Sequence, residues 1–149
     1  MTVLYFDTCS LAKRYCQEPG HRKVKQLIGN RNNTIVFSSI GIVEMSSVVH
    51  KKIRRNDISD ENGRLLLARF ITELDNEYDI LSNEDEFLNK ALGYIRKHDL
   101  RTLDAIHLAT AKEIERQCMN FIFVSSDKDL IDAAQKEHMN YLHPGISVS

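Results

Sequence analysis

Five short runs of β-branched and aromatic residues, each separated from the next by helix-patterned sequence, constrain this chain more than any other feature. They fall at residues 2–6 (TVLYF), 34–37 (TIVF), 78–81 (YDIL), 120–124 (NFIFV) and, more weakly, 140–142 (NYL). Short apolar runs closed by turn or capping residues read as buried strands. Between them the apolar residues recur at helical spacing. Thr8 caps a helix over 9–17 that Pro19 and Gly20 end, and a second helix spans 21–29. Ser38 or Ser39 starts a third helix, running to about Arg55 with Ile40, Val43, Ser47 and Val48 on one face. Ser59, followed by Asp60 and Glu61, opens a fourth with Leu65, Leu66, Phe70 and Leu74 as its stripe. Asn83 opens a fifth, facing inward through Phe87, Leu88, Ala91, Leu92 and Ile95. Thr102 caps a sixth carrying Leu103, Ile106, Leu108, Ala109 and Ile114; Ser126 or Asp127 starts the last, with Leu130, Ile131 and Ala134. Strands alternating with helices in this way form an α/β fold, a mainly parallel sheet with helices on both faces.

The 149 residues show no repeat and no linker, so one domain over 1–149 is expected. No apolar run approaches the ~18–20 residues of a membrane helix, and the first ten residues, MTVLYFDTCS, do not read as an export signal. A soluble, cytoplasmic protein with no membrane partner is the expectation. Three cysteines without a C-x-x-C pair, and six histidines without an H-x-x-x-H pair, argue against a disulfide framework and a zinc site. Net charge is −1, too little for bulk attraction to nucleic acid. Its distribution is uneven, however. Residues 73–86 hold seven acids and no base, leaving 20 basic residues against 14 acidic ones elsewhere. The basic clusters are Arg22, Lys23 and Lys25; Lys51, Lys52, Arg54 and Arg55; and Arg96, Lys97 and Arg101. Solvated helix faces are the ordinary account of such runs, and of the acidic one.

In open parallel sheets the ligand crevice lies beyond the carboxyl ends of the strands. The first strand ends at Asp7, and the fourth runs through Ser125 and Ser126 to Asp127. Either aspartate alone is accounted for as a helix cap. Two further acids weaken that account. Glu44 is the only charge between Ser38 and Val49, and Asp104 is the only acid in TLDAIHLATA. A carboxylate buried in such surroundings without a partner costs several kcal/mol. Arg101 is the one basic neighbour that offers a structural account of Asp104. Carboxylates converging at one crevice repel unless a cation joins them. An all-oxygen set selects hard Mg²⁺ or Mn²⁺, ions suited to hydrolysis of phosphodiesters. The hydroxyls of Thr8 and Ser125 would orient ligands or the attacking water. His107, on an apolar helix, reads as a hydrogen-bonded core residue rather than a general base.

The strings YFDTCSLAKRY, SSIGIVEMSSVVHK, LRTLDAIHLATA and FIFVSSDKDLIDAA, in this order across nearly the whole chain, resemble the four acidic motifs of PIN (PilT N-terminal) domains. More narrowly, they are similar to the VapC-type ribonuclease toxins of toxin–antitoxin pairs. The resemblance places the family's acids on Asp7, Glu44, Asp104 and Asp127, with Ser125 at the Thr/Ser position of the last motif and Asp129 as an additional acid. Cys9 departs from the Ser or Asn common there, which touches only a secondary hydrogen bond. What the resemblance implies is a three-layer α/β/α domain around a sheet of about five strands, acting as an Mg²⁺- or Mn²⁺-dependent endoribonuclease. Asp7, Asp104 and Asp127 would hold the metal, and Glu44 would position a second ion or the attacking water. The substrate would be tRNA, rRNA or another RNA, with Lys13 and Arg14 the cations nearest the site. A homodimer and a cognate antitoxin that blocks the acidic pocket are also implied. Two alternatives stand beside this reading. One is a catalytically inactive PIN-like module that binds RNA or protein. The other is a phosphatase or phospho-acceptor using Asp7, although Cys9 stands where the second acid of a D-x-D-x-T motif belongs.

Overall fold

In a computed structural model describing residues 1–82 and 85–146, five strands form one sheet: β1 (Thr2–Phe6), β2 (Asn33–Ser38), β3 (Asp79–Leu81), β4 (Phe121–Val124) and β5 (Tyr141–Leu142). All are parallel, in the order β3-β2-β1-β4-β5. The chain builds outward from β1 on one side through β2 to β3, then crosses to the other side for β4 and β5. The reversal between β1 and β4 opens a crevice at their carboxyl ends. Asp7 follows β1 directly, and Ser125 to Asp127 follow β4.

Alternation along the strands divides the core into two layers. Leu4 and Phe6 of β1 pack on one side with Phe37 and with residues of α1 (Thr8–Ala12), α2 (His21–Gly29), α3 (Ser39–Arg54) and α4 (Asp60–Glu77). Tyr5 faces the other side, against Phe123 and residues of α5 (Asp85–His98), α6 (Thr102–Gln117) and α7 (Lys128–Lys136). The expected layering and parallel sheet are therefore present. No helix among the described residues is long and apolar enough to cross a membrane.

The phases of several helices differ from expectation. The third helix buries Gly41, Met45 and Val49, while Val43 is 72% exposed and Ser47 also faces solvent. Gly41 sets that phase: a Cβ there would lie 2.7 Å from Cε2 of Phe37, so the helix backbone approaches the ring directly. The fourth helix similarly turns Gly63 and Phe70 inward and leaves Leu65 exposed. Ala91 and Tyr94 are buried in α5, whereas Leu88 and Leu92 are exposed, as is Leu103 in α6. Periodicity gives a stripe but cannot say which neighbour the small residues will admit.

Caps and ends differ too. Asp7 rather than Thr8 caps α1, and Arg101 rather than Thr102 occupies the cap position of α6, with no side-chain hydrogen bond. The first helix closes at Ala12 because its last turn tightens: the N–H groups of Lys13, Arg14 and Tyr15 donate to carbonyls three residues back. The helix start expected at Asn83 lies outside the described residues.

Candidate active site

Asp7 ends the central strand and is buried. Its Oδ1 accepts the Ser10 backbone N–H at 2.8 Å, capping α1, and its Oδ2 accepts the Ser125 hydroxyl at 2.5 Å. Burial pushes the Asp7 carboxyl above its ordinary range, opposed by those hydrogen bonds. Ser125 in turn accepts the backbone N–H of Asp127 at 3.1 Å. One buried hydroxyl thus fixes the aspartates that follow β1 and β4 relative to one another. Asp127 is exposed and caps α7, its Oδ1 accepting the Leu130 N–H at 3.1 Å.

The other two acids arrive on helices from opposite layers. Asp104 sits in the first turn of α6, half-buried. Its carboxyl is pushed up to about 6, first by desolvation and then by the charges of Asp127, Asp7 and Glu44, against which His107 acts. Glu44 of α3 places Oε1 between two donors, the Thr8 hydroxyl at 3.0 Å and the His107 Nε2–H at 2.6 Å. Behind it, the Tyr5 hydroxyl lies 2.7 Å from His107 Nδ1. Cys9 feels the same four carboxylates. Desolvation and the charges of Asp7, Glu44, Asp104 and Asp127 push its thiol up to about 11, so it is no nucleophile at neutral pH.

No lysine or arginine pairs with Asp7, Glu44, Asp104 or Asp127 among the described residues. Arg101 does not form the ion pair with Asp104 that would have given that acid a structural role. Lys13 and Arg14, by contrast, have internal partners. Lys13 pairs with Glu18 at 3.4 Å; Arg14 donates to the Tyr78 hydroxyl at 2.7 Å and pairs with Glu73 at 3.3 Å. Glu73 also accepts from Tyr15 and Arg69, so the acidic run over 73–86 is not simply a solvated edge. Asp129, in the first turn of α7, lines a hollow of about 190 Å³ with His98, Asp99, Asp132 and Lys136. A larger hollow, about 770 Å³, lies elsewhere beside Tyr15, Lys52, Leu65 and Arg69. Chemistry rather than size therefore singles out the carboxylate crevice. Tyr5 is the member of this site that the sequence did not single out. Its signal was a phenol in a strand buried on both faces, where the hydroxyl must find a partner.

The donor set suits a hard divalent cation: carboxylate oxygens, like charges acting on one another, and no lysine or arginine paired with them among the described residues. Among the described residues no three Asp, Glu, His or Cys side chains stand close enough to form a ready-made cage. Oδ1 of Asp7 and Oδ1 of Asp127 are each engaged in a helix cap.

The family model described as PIN domain matches residues 4–136. No curated protein matches the sequence. Several solved structures share the fold. FitAcB from Neisseria gonorrhoeae superposes with a TM-score of 0.68 at 17% identity, over 95% of this chain and 97% of that one. VapC20 from Mycobacterium tuberculosis, described as a sarcin–ricin loop cleaving toxin, gives 0.65 at 16% identity, over 87% and 94%. VapBC2 from Rickettsia felis, bound to a DNA fragment from its promoter, gives 0.60 at 15% identity, over 95% and 98%.

Proposed function

The chain belongs to the PIN domain family, and on that premise we propose that it is a metal-dependent endoribonuclease, the toxin of a VapBC-type toxin–antitoxin pair. One observation carries the reading: four carboxylates, following β1, on α3, on α6 and following β4, act on one crevice at the sheet's reversal point, with no lysine or arginine paired to them among the described residues. Such a cluster is destabilising by itself, and a divalent cation relieves it.

Asp7, Asp104 and Asp127 would hold Mg²⁺ or Mn²⁺. When bound, the ion supplies Lewis acidity toward a phosphodiester and toward the attacking water. The protein supplies the geometry. Ser125 and the Ser10 N–H fix both oxygens of Asp7. Thr8 steadies Glu44, whose carboxylate orients the water. Asp129, in the first turn of α7, would be a supporting acid. Phosphate contacts fall first to cations without internal ion pairs, and Arg22, Lys23 and Lys25 on α2 meet that condition among the described residues. The antitoxin partner rests on the toxin–antitoxin complexes among the structural neighbours. A homodimer is supported by Leu88 and Leu92 on α5 with Leu103 on α6, all exposed.

The test is incubation of purified, antitoxin-free protein with total RNA, ribosomal RNA included, in Mg²⁺, in Mn²⁺ and in EDTA, beside Asp7→Asn. Discrete products that need the metal and vanish in the variant support the reading. Intact RNA under every condition, with folded protein, rejects it.

A further inference from the structure

Glu44 is held by one oxygen only. Oε1 accepts from both Thr8 and His107, while Oε2 has no hydrogen-bond partner among the described residues. His107 is 2% exposed, and Tyr5 is fully buried behind it. The donor order follows from what each group can do. A carboxylate only accepts, so His107 Nε2 carries the proton toward Glu44. With that proton on Nε2, Nδ1 of a neutral imidazole is left as an acceptor, so the phenol proton of Tyr5 goes to Nδ1 at 2.7 Å.

We propose that Tyr5 and His107 are positioning residues: their buried hydrogen-bonded strut clamps Oε1 of Glu44 and leaves Oε2 as the oxygen presented to the reaction. This inference rests on the nuclease reading. A glutamate has three side-chain torsions, and no lysine or arginine pairs with Glu44 among the described residues, so a strut anchored in the central strand fixes what would otherwise wander. Tyr5 is well suited as the anchor. Its ring meets His107 edge-on, with centroids 5.9 Å apart, and packs on Phe123 at 5.8 Å. A core made only for stability would place Phe at position 5 and avoid a buried phenol–imidazole pair.

Tyr5→Phe removes one oxygen and keeps the ring. It is expected to lower the single-turnover cleavage rate by about 10- to 100-fold, the usual effect of losing a partner that orients a site ligand, with RNA affinity within about twofold. His107→Gln, which retains a donor for Glu44, is expected to cleave faster than His107→Ala. Independently of activity, the imidazole nitrogen spectrum should show the wild-type proton on Nε2, protected from solvent, and faster exchange in Tyr5→Phe. Folded Tyr5→Phe and His107→Gln proteins that cleave at the wild-type rate overturn the strut alone, as does an imidazole whose only proton is on Nδ1. Equal loss of RNA affinity and rate makes the pair merely structural. A wild type that cleaves nothing in either metal fails the nuclease reading first, and the strut's role with it.

Discussion

Ser125 donates its hydroxyl to Oδ2 of Asp7 across 118 residues of sequence, tying together the carboxyl ends of β1 and β4. Oγ of Ser125 also accepts the Asp127 N–H, so both strand-end aspartates depend on one side chain that is fully buried. A hydrogen bond to the charged form is what opposes desolvation at Asp7.

Ser125→Ala should therefore act on Asp7 before anything else. The variant leaves a buried carboxylate oxygen without its donor, at a cost of about 1–3 kcal/mol in urea unfolding. It should also raise the Asp7 carboxyl further, a shift visible by NMR titration, and weaken stabilisation by Mg²⁺. An unchanged Asp7 titration would show that the hydroxyl does not carry this load.

Arg14, expected among the cations nearest the site, is held by partners within the protein. It bonds the Tyr78 hydroxyl, pairs with Glu73, and stands 5.7 Å from the Tyr78 ring centroid. Arg14→Ala should lower stability by about 1–3 kcal/mol, since a half-buried glutamate loses a partner, with RNA affinity nearly unchanged. Arg22→Ala with Lys23→Ala should do the reverse, weakening RNA binding and flattening its dependence on salt. Filter binding at several salt concentrations, beside unfolding curves, separates the two outcomes.

The contrast shows what the sequence could and could not carry. Asp7, Glu44, Asp104 and Asp127 were legible because a charge isolated in an apolar segment, or at a strand end, is visible without coordinates. The five strands were legible for the same kind of reason. Helix phase was not: Val43 and Leu65 belong to plausible stripes, but Gly41 and Gly63 decide which face comes closest to the core. Ion-pair partners were not legible either, because Arg14 meets Glu73 only once the turn after α1 lies against α4. His107 was legible as a core histidine, whereas its bond to Glu44 needed the two layers brought together.

Gly41 gives a test of that phase. Its missing Cβ would lie 2.7 Å from Cε2 of Phe37, a ring with no exposed surface. Gly41→Ala gains up to ~1 kcal/mol of helix propensity but forces a packed ring or the helix to shift, typically at about 1–3 kcal/mol. A net loss of stability is expected. Glu44 lies three residues further along the same helix, so cleavage should fall as well. A variant more stable than wild type would mean that Phe37 moves freely.

The pH dependence of stability follows from Asp104. Its carboxyl is pushed up to about 6 from an ordinary 3.8 by desolvation and by the neighbouring acids. Between those values the folded chain binds the proton more readily than the unfolded chain does. This group's contribution to stability therefore rises as pH falls through 6 and levels off below about 4. Asp7, raised in the same direction by burial, adds to the trend. The metal-free protein should melt higher near pH 5 than near pH 7.5, until protonation of ion-paired carboxylates such as Glu73 and Glu137, held below their ordinary range, reverses the gain. Asp104→Asn should flatten the rise between pH 7.5 and 5. Mg²⁺ competes with the same protons, so its stabilising effect on the wild type should be larger at pH 7.5 than at pH 5. Melting curves of both proteins at the two pH values, with EDTA or with Mg²⁺, decide this. Parallel curves for wild type and Asp104→Asn would remove Asp104 from the electrostatic cluster.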